Sequence, residues 1–147
     1  MVEILNEAPH CLRDIRVEEV ARALTRLMET LKLYDKEITV VFVDDDKIHE
    51  LNRAHREVDA PTDVLSYPTS EPDDDTEGFT MPSIPHLGDI IISVETAQKQ
   101  AVEQGHSVEQ EVKTLAAHAV THLLGYDHPT EDAWEKFKEN QALILTL

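Results

Sequence analysis

The run Ile38-Thr39-Val40-Val41-Phe42-Val43 constrains the fold more than any other stretch of the chain. It is filled with β-branched and aromatic residues, which fit the pleated surface of a buried strand. A buried strand needs an apolar layer against it, and the preceding segment supplies one. Val17, Val20, Ala21, Leu24, Leu27, Met28 and Leu31 recur at helical spacing, with Arg22 and Arg26 off that stripe, which predicts an amphipathic helix. A chain of 147 residues is long enough for one such core and is expected to form a single domain over 1–147.

Further elements alternate in kind. Val2 to Asn6, Val64 to Tyr67 and Ile90 to Val94 are strand candidates, the last introduced by Gly88-Asp89. Asp44-Asp45-Asp46 offers N-cap candidates and negative charge for a short helix through Ile48 and Leu51. A helix from Glu95 to Gln104 is expected to stop at Gly105. Ser107, with Gln110 three residues on, resembles a capping box for a helix whose stripe is Val108, Val112, Leu115, Ala116, Ala119 and Leu123, with Gly125 as its stop. A last helix places Trp134, Phe137, Gln141 and Leu145 on one side. Intermixed strands and helices predict an α+β (mixed α/β) domain of about four strands and about five helices, its sheet covered mainly on one face.

Thirteen basic residues against thirty acids give a net charge of −17. This excludes a protein that coats duplex nucleic acid or anionic lipid by bulk charge. No apolar run approaches the roughly 20 residues of a membrane span, and the acidic N-terminus is unlike a signal peptide. A single cysteine, Cys11, fits a reducing cytoplasm. The charge is uneven: nine of the thirteen bases precede Glu57, and none lies between Glu57 and Gln98. Within that block the acidic stretch Glu71 to Gly78 and the prolines after it read as a surface insertion over 69–85.

Histidines carry the chemistry. His118 and His122 are four apart on the 108–123 helix, so their rings project from one face about one turn from each other. His128 follows three residues after Gly125. A lone His-x3-His pair is more often packing than metal. A third histidine returned by a glycine stop shifts the balance toward a three-nitrogen zinc set, with a fourth position open to water. His10, His49, His55, His86 and His106 lack such geometry and are expected to be solvated or core residues. Helical zinc proteases place a glutamate base directly after the first histidine; here Ala119 stands there.

The segment from His118 through His128 (HAVTHLLGYDH) closely resembles the signature of the YbeY family, bacterial zinc-dependent endoribonucleases of ribosomal RNA maturation and ribosome quality control. Leu51-Asn52-Arg53-Ala54-His55-Arg56, followed by Pro61 to Pro68, resembles the family's central motif, and Leu87 to Ser93 resembles its strand before the later helices. The resemblance implies that His118, His122 and His128 bind one zinc ion and that Arg56 is the functional arginine. It implies single-stranded RNA, ribosomal RNA above all, as substrate, including the 3′ end of 16S rRNA. It further implies the small ribosomal subunit and its associated factors as partners, with no membrane. Ala119 and Glu57 stand where the family usually has glycine, and the acidic insertion is long.

On this reading His118, as a metal ligand, and Arg56, as a planar donor to phosphate, are the catalytic residues. Asp127 can orient a ligand histidine or face solvent, whereas Asp63 and Asp89 suit turns or caps. A zinc hydrolase of peptides or small molecules and a ribosome-associated module with structural zinc are the alternatives. RNA is expected to approach along a basic groove drawn from Arg13, Arg16, Arg22, Arg26, Arg53 and Arg56.

Overall fold

The computed structural model describes residues 2–8, 15–34, 36–68, 86–124 and 131–146. The β-branched run forms β2 (Glu37–Val43), which pairs in parallel with β1 (Val2–Asn6) on one side and with β4 (His86–Ser93) on the other. The strand β3 (Val64–Pro68) adds antiparallel to β4 at the edge, giving the order β1-β2-β4-β3. Five helices complete the described chain: α1 (Val17–Thr30), α2 (Asp45–Arg56), α3 (Val94–Gln104), α4 (Val108–Leu123) and α5 (Glu131–Thr146). This is the expected α+β architecture. Among the described residues no helix is long and apolar enough to cross a membrane.

Strand alternation sorts the sheet into two unequal faces. Ile38, Val40, Phe42, Ile90 and Ile92 point into the main core with Val20, Leu24 and Leu27 of α1, Val94 and Ala97 of α3, Val112, Leu115 and Val120 of α4, and Ile144 of α5. The opposite pleat gives a small cluster in which Val41, Val43, Leu65, Tyr67 and Ile91 meet Ile48 and Leu51 of α2. Four helices thus cover one face and one helix the other, as expected.

Local chemistry sets the helix ends. The Asp44 carboxylate accepts the Lys47 N–H at 2.9 Å, and the Ser107 hydroxyl accepts the Gln110 N–H at 3.1 Å. These are side-chain caps on otherwise unpaired N–H groups. Gly105 ends α3 in the left-handed region at φ +74°, a conformation that suits glycine. β4 begins at His86, four residues before the expected start at Ile90. Its first residues find partners in Glu37 of β2 and in Tyr67 and Pro68 of β3, with a bulge that leaves Leu87 unopposed. The four residues expected on one side of α5 differ in burial. Phe137, Gln141, Asn140 and Ile144 face inward, while Trp134 and Leu145 are exposed, because Asn140 and Ile144 take the inner line of the helix. The expected insertion at 69–85 and the glycine stop at Gly125 lie outside the described residues.

Candidate active site

α4 is held so that one side of its last two turns is fixed. At its start, Glu109 accepts three hydrogen bonds from Arg16: the backbone N–H at 3.0 Å, Nε at 3.1 Å and Nη2 at 2.9 Å. The Arg16 guanidinium holds the Glu109 carboxyl below the usual glutamate range, against the opposing effect of burial. Further along, Ala116, Ala117, Ala119 and Val120 are buried, and their small side chains let the helix lie close to the sheet. At its end, Leu123 rests over Gly88 of β4. A Cβ on Gly88 would stand 2.6 Å from Leu123 Cδ2 and 2.6 Å from the Tyr67 carbonyl oxygen. Only a glycine leaves room for this approach.

His118 and His122 leave α4 on the side that faces α5, and both meet the same ring. Phe137 packs edge-to-face with His118 at 5.5 Å and with His122 at 4.9 Å between centroids. His118 Nε2 lies 2.9 Å from Gln141 Oε1. With the amide oxygen as acceptor, Nε2 carries the proton and Nδ1 keeps its lone pair, so the contact fixes ring orientation and tautomer together. Beneath the pair, the buried Asn140 Nδ2 donates to Thr121 Oγ1 at 2.8 Å, and Thr121 Oγ1 donates to the Ala117 carbonyl at 2.8 Å. α5 is thereby tied to α4 through both polar and aromatic contacts.

Two imidazoles one turn apart, one half-buried and one exposed, are a donor set suited to a borderline-soft divalent ion such as zinc. Among the described residues no group of three histidine, cysteine, aspartate or glutamate side chains is placed to hold a metal. His128, the expected third ligand, and Asp127 lie outside the described residues, as do His10 and Cys11. Ala119 is buried, so the position of a protease-type glutamate base belongs to the core.

Arg56 sits elsewhere. It is the last residue of α2, the helix that packs on the opposite face of the sheet. The edge strand β3 touches both that helix and α4. The backbone carbonyl of Tyr67 forms the Gly88 crevice under Leu123, while the Tyr67 ring meets His55, the neighbour of Arg56, edge-to-face at 5.4 Å. Burial pushes the Tyr67 hydroxyl up, and the Arg56 charge opposes that shift. The following residue, Glu57, caps α2 in the left-handed region at φ +58°.

The remaining described histidines have local partners. His49 faces Asp59 at 2.7 Å, His86 faces Asp89 at 2.9 Å and His106 faces Glu111 at 2.6 Å. Asp63 serves as a turn residue: its Oδ1 accepts the Val64 N–H at 2.8 Å, and its Oδ2 accepts from Gln100 at 3.3 Å. The expected basic groove is divided. Arg16 is committed to Glu109 and Arg22 to Glu19; Arg26 is exposed on α1, Arg53 and Arg56 stand at the end of α2, and Arg13 lies outside the described residues. Residues whose importance only the structure reveals are Gly88, Phe137 and Gln141. Phe137 and Gln141 share a helix side with spacing four, a weak signal that could equally have meant core.

Comparison with known proteins bears on the same regions. The family model for endoribonuclease YbeY matches residues 4–147. An endoribonuclease YbeY from Thermus thermophilus is 46% identical over 132 residues, covering 89% of this chain and 90% of its own. One from Deinococcus radiodurans is 50% identical over 135 residues, covering 84% of this chain and 83% of its own. One from Aquifex aeolicus is 40% identical over 135 residues, covering 91% and 85%. The solution structure of the Thermotoga maritima protein TM1509 superposes with a TM-score of 0.64 at 27% identity, over 99% of this chain and 90% of that one.

Proposed function

Because the chain belongs to the YbeY endoribonuclease family, we propose that it cleaves phosphodiester bonds in single-stranded RNA, using one zinc ion held by His118, His122 and His128. The observation that carries this reading is the placement of His118 and His122 against one ring, with His118 pinned by Gln141. When bound, zinc supplies Lewis acidity toward a phosphoryl oxygen. The chain's own residues do the rest. Phe137 excludes water from the inner edge of both imidazoles, and Gln141 holds the His118 ring in one orientation. Arg56 offers two parallel N–H donors to a phosphate, countering the charge that builds as the P–O bond breaks. Arg56 stands across the edge strand from the histidines, so one RNA strand would reach both by passing over the β3 edge. The left-handed turn at Glu57 brings a carboxylate beside Arg56, which lowers its pull on phosphate.

The reading extends to ribosomal RNA processing in the cytoplasm, including the 3′ end of 16S rRNA, with the small ribosomal subunit and its factors as partners. Metal analysis of the purified protein, with cleavage of a single-stranded RNA measured with and without chelator, tests it. His118→Ala should lower cleavage by about 10²-fold or more, as loss of a group acting on the transition state does. Arg56→Ala should lower it by roughly 10-fold or more. Unchanged cleavage in both variants would sink the assignment. Unfolding on chelation, with no turnover to lose, would instead mark zinc as structural.

A further inference from the structure

Trp134, the chain's one tryptophan, lies on the first turns of α5 and is 56% exposed. A single exposed aromatic residue is ordinary on a protein surface. This one is distinguished by what stands behind it. Its ring packs edge-on against Phe137 at 6.0 Å and 60°, and Phe137 in turn touches both His118 and His122. An uninterrupted row of rings therefore runs from solvent to the two imidazoles. Phe137 braces the indole from within, and the Asn140–Thr121 and Gln141–His118 hydrogen bonds fix α5 on α4. The outer face of the indole is thus presented on a rigid support.

Charge at the same place is mixed: Glu135 and Glu139 are exposed on the same helix, and Lys136 pairs with Glu139. Lys138 lies one turn beyond Trp134, is exposed, and has no ion-pair partner among the described residues. On a helix of 3.6 residues per turn, Trp134 and Lys138 are surface neighbours, with Phe137 on the inner side. A flat apolar face beside the Lys138 ammonium, next to the proposed phosphodiester-cleaving centre, has the two elements of single-strand recognition: a ring to stack a base and a cation for the backbone. Every base has a π face, so such a platform orients a strand without selecting its sequence.

We propose that Trp134 is a stacking platform for an unpaired RNA base next to the bond that is cut, with Lys138 contacting the adjoining phosphate. The proposal rests on the single-stranded RNA reading above. Stacking here acts in binding: it holds the strand against the histidine pair and adds no chemical step. Duplex RNA cannot use it, because its bases are already stacked on each other.

The sole tryptophan makes binding directly visible as a change in intrinsic fluorescence. The probes are a single-stranded oligoadenylate decamer and an abasic decamer of the same backbone charge, titrated into the full chain at fixed salt. The oligoadenylate should quench Trp134 emission and bind roughly tenfold or more tightly than the abasic strand, in line with the stacking contribution per base. Trp134→Ala, followed by a labelled strand, should lose that margin while its affinity for the abasic strand stays within about twofold of the parent. Trp134→Phe should keep most of the margin and guards against a folding artefact. Equal binding of the two decamers by the parent, or an unchanged margin in Trp134→Ala, overturns the platform even if RNA is still cleaved. If the parent neither binds nor cuts the oligoadenylate, the RNA reading falls and the platform with it.

Discussion

On the face covered by α4 and α5, the buried Asn140 and Thr121 side chains are hydrogen-bonded to each other. On the face covered by α2, Asn52 Oδ1 and the Tyr67 hydroxyl are buried without a hydrogen-bond partner among the described residues. The first face is built on a large cluster that joins four helices to the sheet, the second on Val43, Ile48 and Leu65 with a few half-buried neighbours. His118 and His122 stand on the first and Arg56 on the second. On the proposed roles, zinc ligands on one face and a phosphate donor on the other, the difference follows what each group must do. Metal ligands lose affinity when their rings turn by small angles, so they are set on packed, hydrogen-bonded support. A guanidinium that grips a phosphate on a moving strand tolerates a thinner base. Unmatched buried polar atoms mark the α2 end as the part of the fold with less stability to spare.

That asymmetry is open to direct measurement by paired core truncations. Ile92 and Ile48 are both fully buried, one in each cluster. Ile92→Ala should cost about 4–5 kcal/mol of unfolding free energy and Ile48→Ala about 2–3 kcal/mol, the upper and lower parts of the usual range for such truncations. The smaller cluster around Ile48 can collapse more readily onto the space left. Urea unfolding curves with a common slope give both values. Equal losses would mean that the two faces are equally well packed.

A second test probes the joint between the faces. Gly88→Ala places a methyl group 2.6 Å from both Leu123 Cδ2 and the Tyr67 carbonyl. The leucine tip can swing aside, but the β3 backbone cannot without loosening its pairing with β4. The expected cost is about 1–3 kcal/mol, typical of overpacking, read as a lowered thermal midpoint. The end of α4 should shift with it, so zinc affinity by chelator competition should fall roughly tenfold. Leu123→Ala in the same chain should return only part of the stability, since the carbonyl clash remains. Full recovery would place the whole contact on the side chain and leave β3 out of the joint.

Much of this arrangement is legible in the sequence, and the illegible remainder has a common cause. The β2 run, the α1 stripe, the Ser107 cap and the Gly105 stop are all local: each depends on residues within a turn or a strand, and each was found where expected. The His118–His122 pair is local as well, being one helical turn. What the sequence could not convey were meetings between distant segments. Gln141 reaches His118 from 23 residues away, and Gly88 matters only because Leu123 lands on it. Arg56 lies in a motif recognisable from its residues, but which face of the sheet it occupies follows from where α2 crosses. Which side of α5 faces inward follows from packing for the same reason. Trp134 and Phe137 share a side by spacing, and only the position of α4 decides that Phe137 is covered and Trp134 is not.

The smallest effect concerns Glu57, which holds a left-handed conformation at φ +58° at the end of α2. A side chain there carries a steric penalty that glycine avoids. Glu57→Gly should therefore stabilise the chain by about 0.5–1 kcal/mol, the gain reduced by the extra freedom glycine has when unfolded. It also removes a carboxylate beside Arg56, so RNA affinity should rise modestly, more at low salt than at high. Glu57→Ala separates the two consequences, because it deletes the charge but keeps a Cβ in the left-handed region. The alanine variant should gain affinity without gaining stability. If instead the alanine and glycine variants are equally stabilised, charge repulsion rather than backbone strain is what weakens this end of α2. The thinness of the second face would then be electrostatic in origin and would diminish as salt is raised.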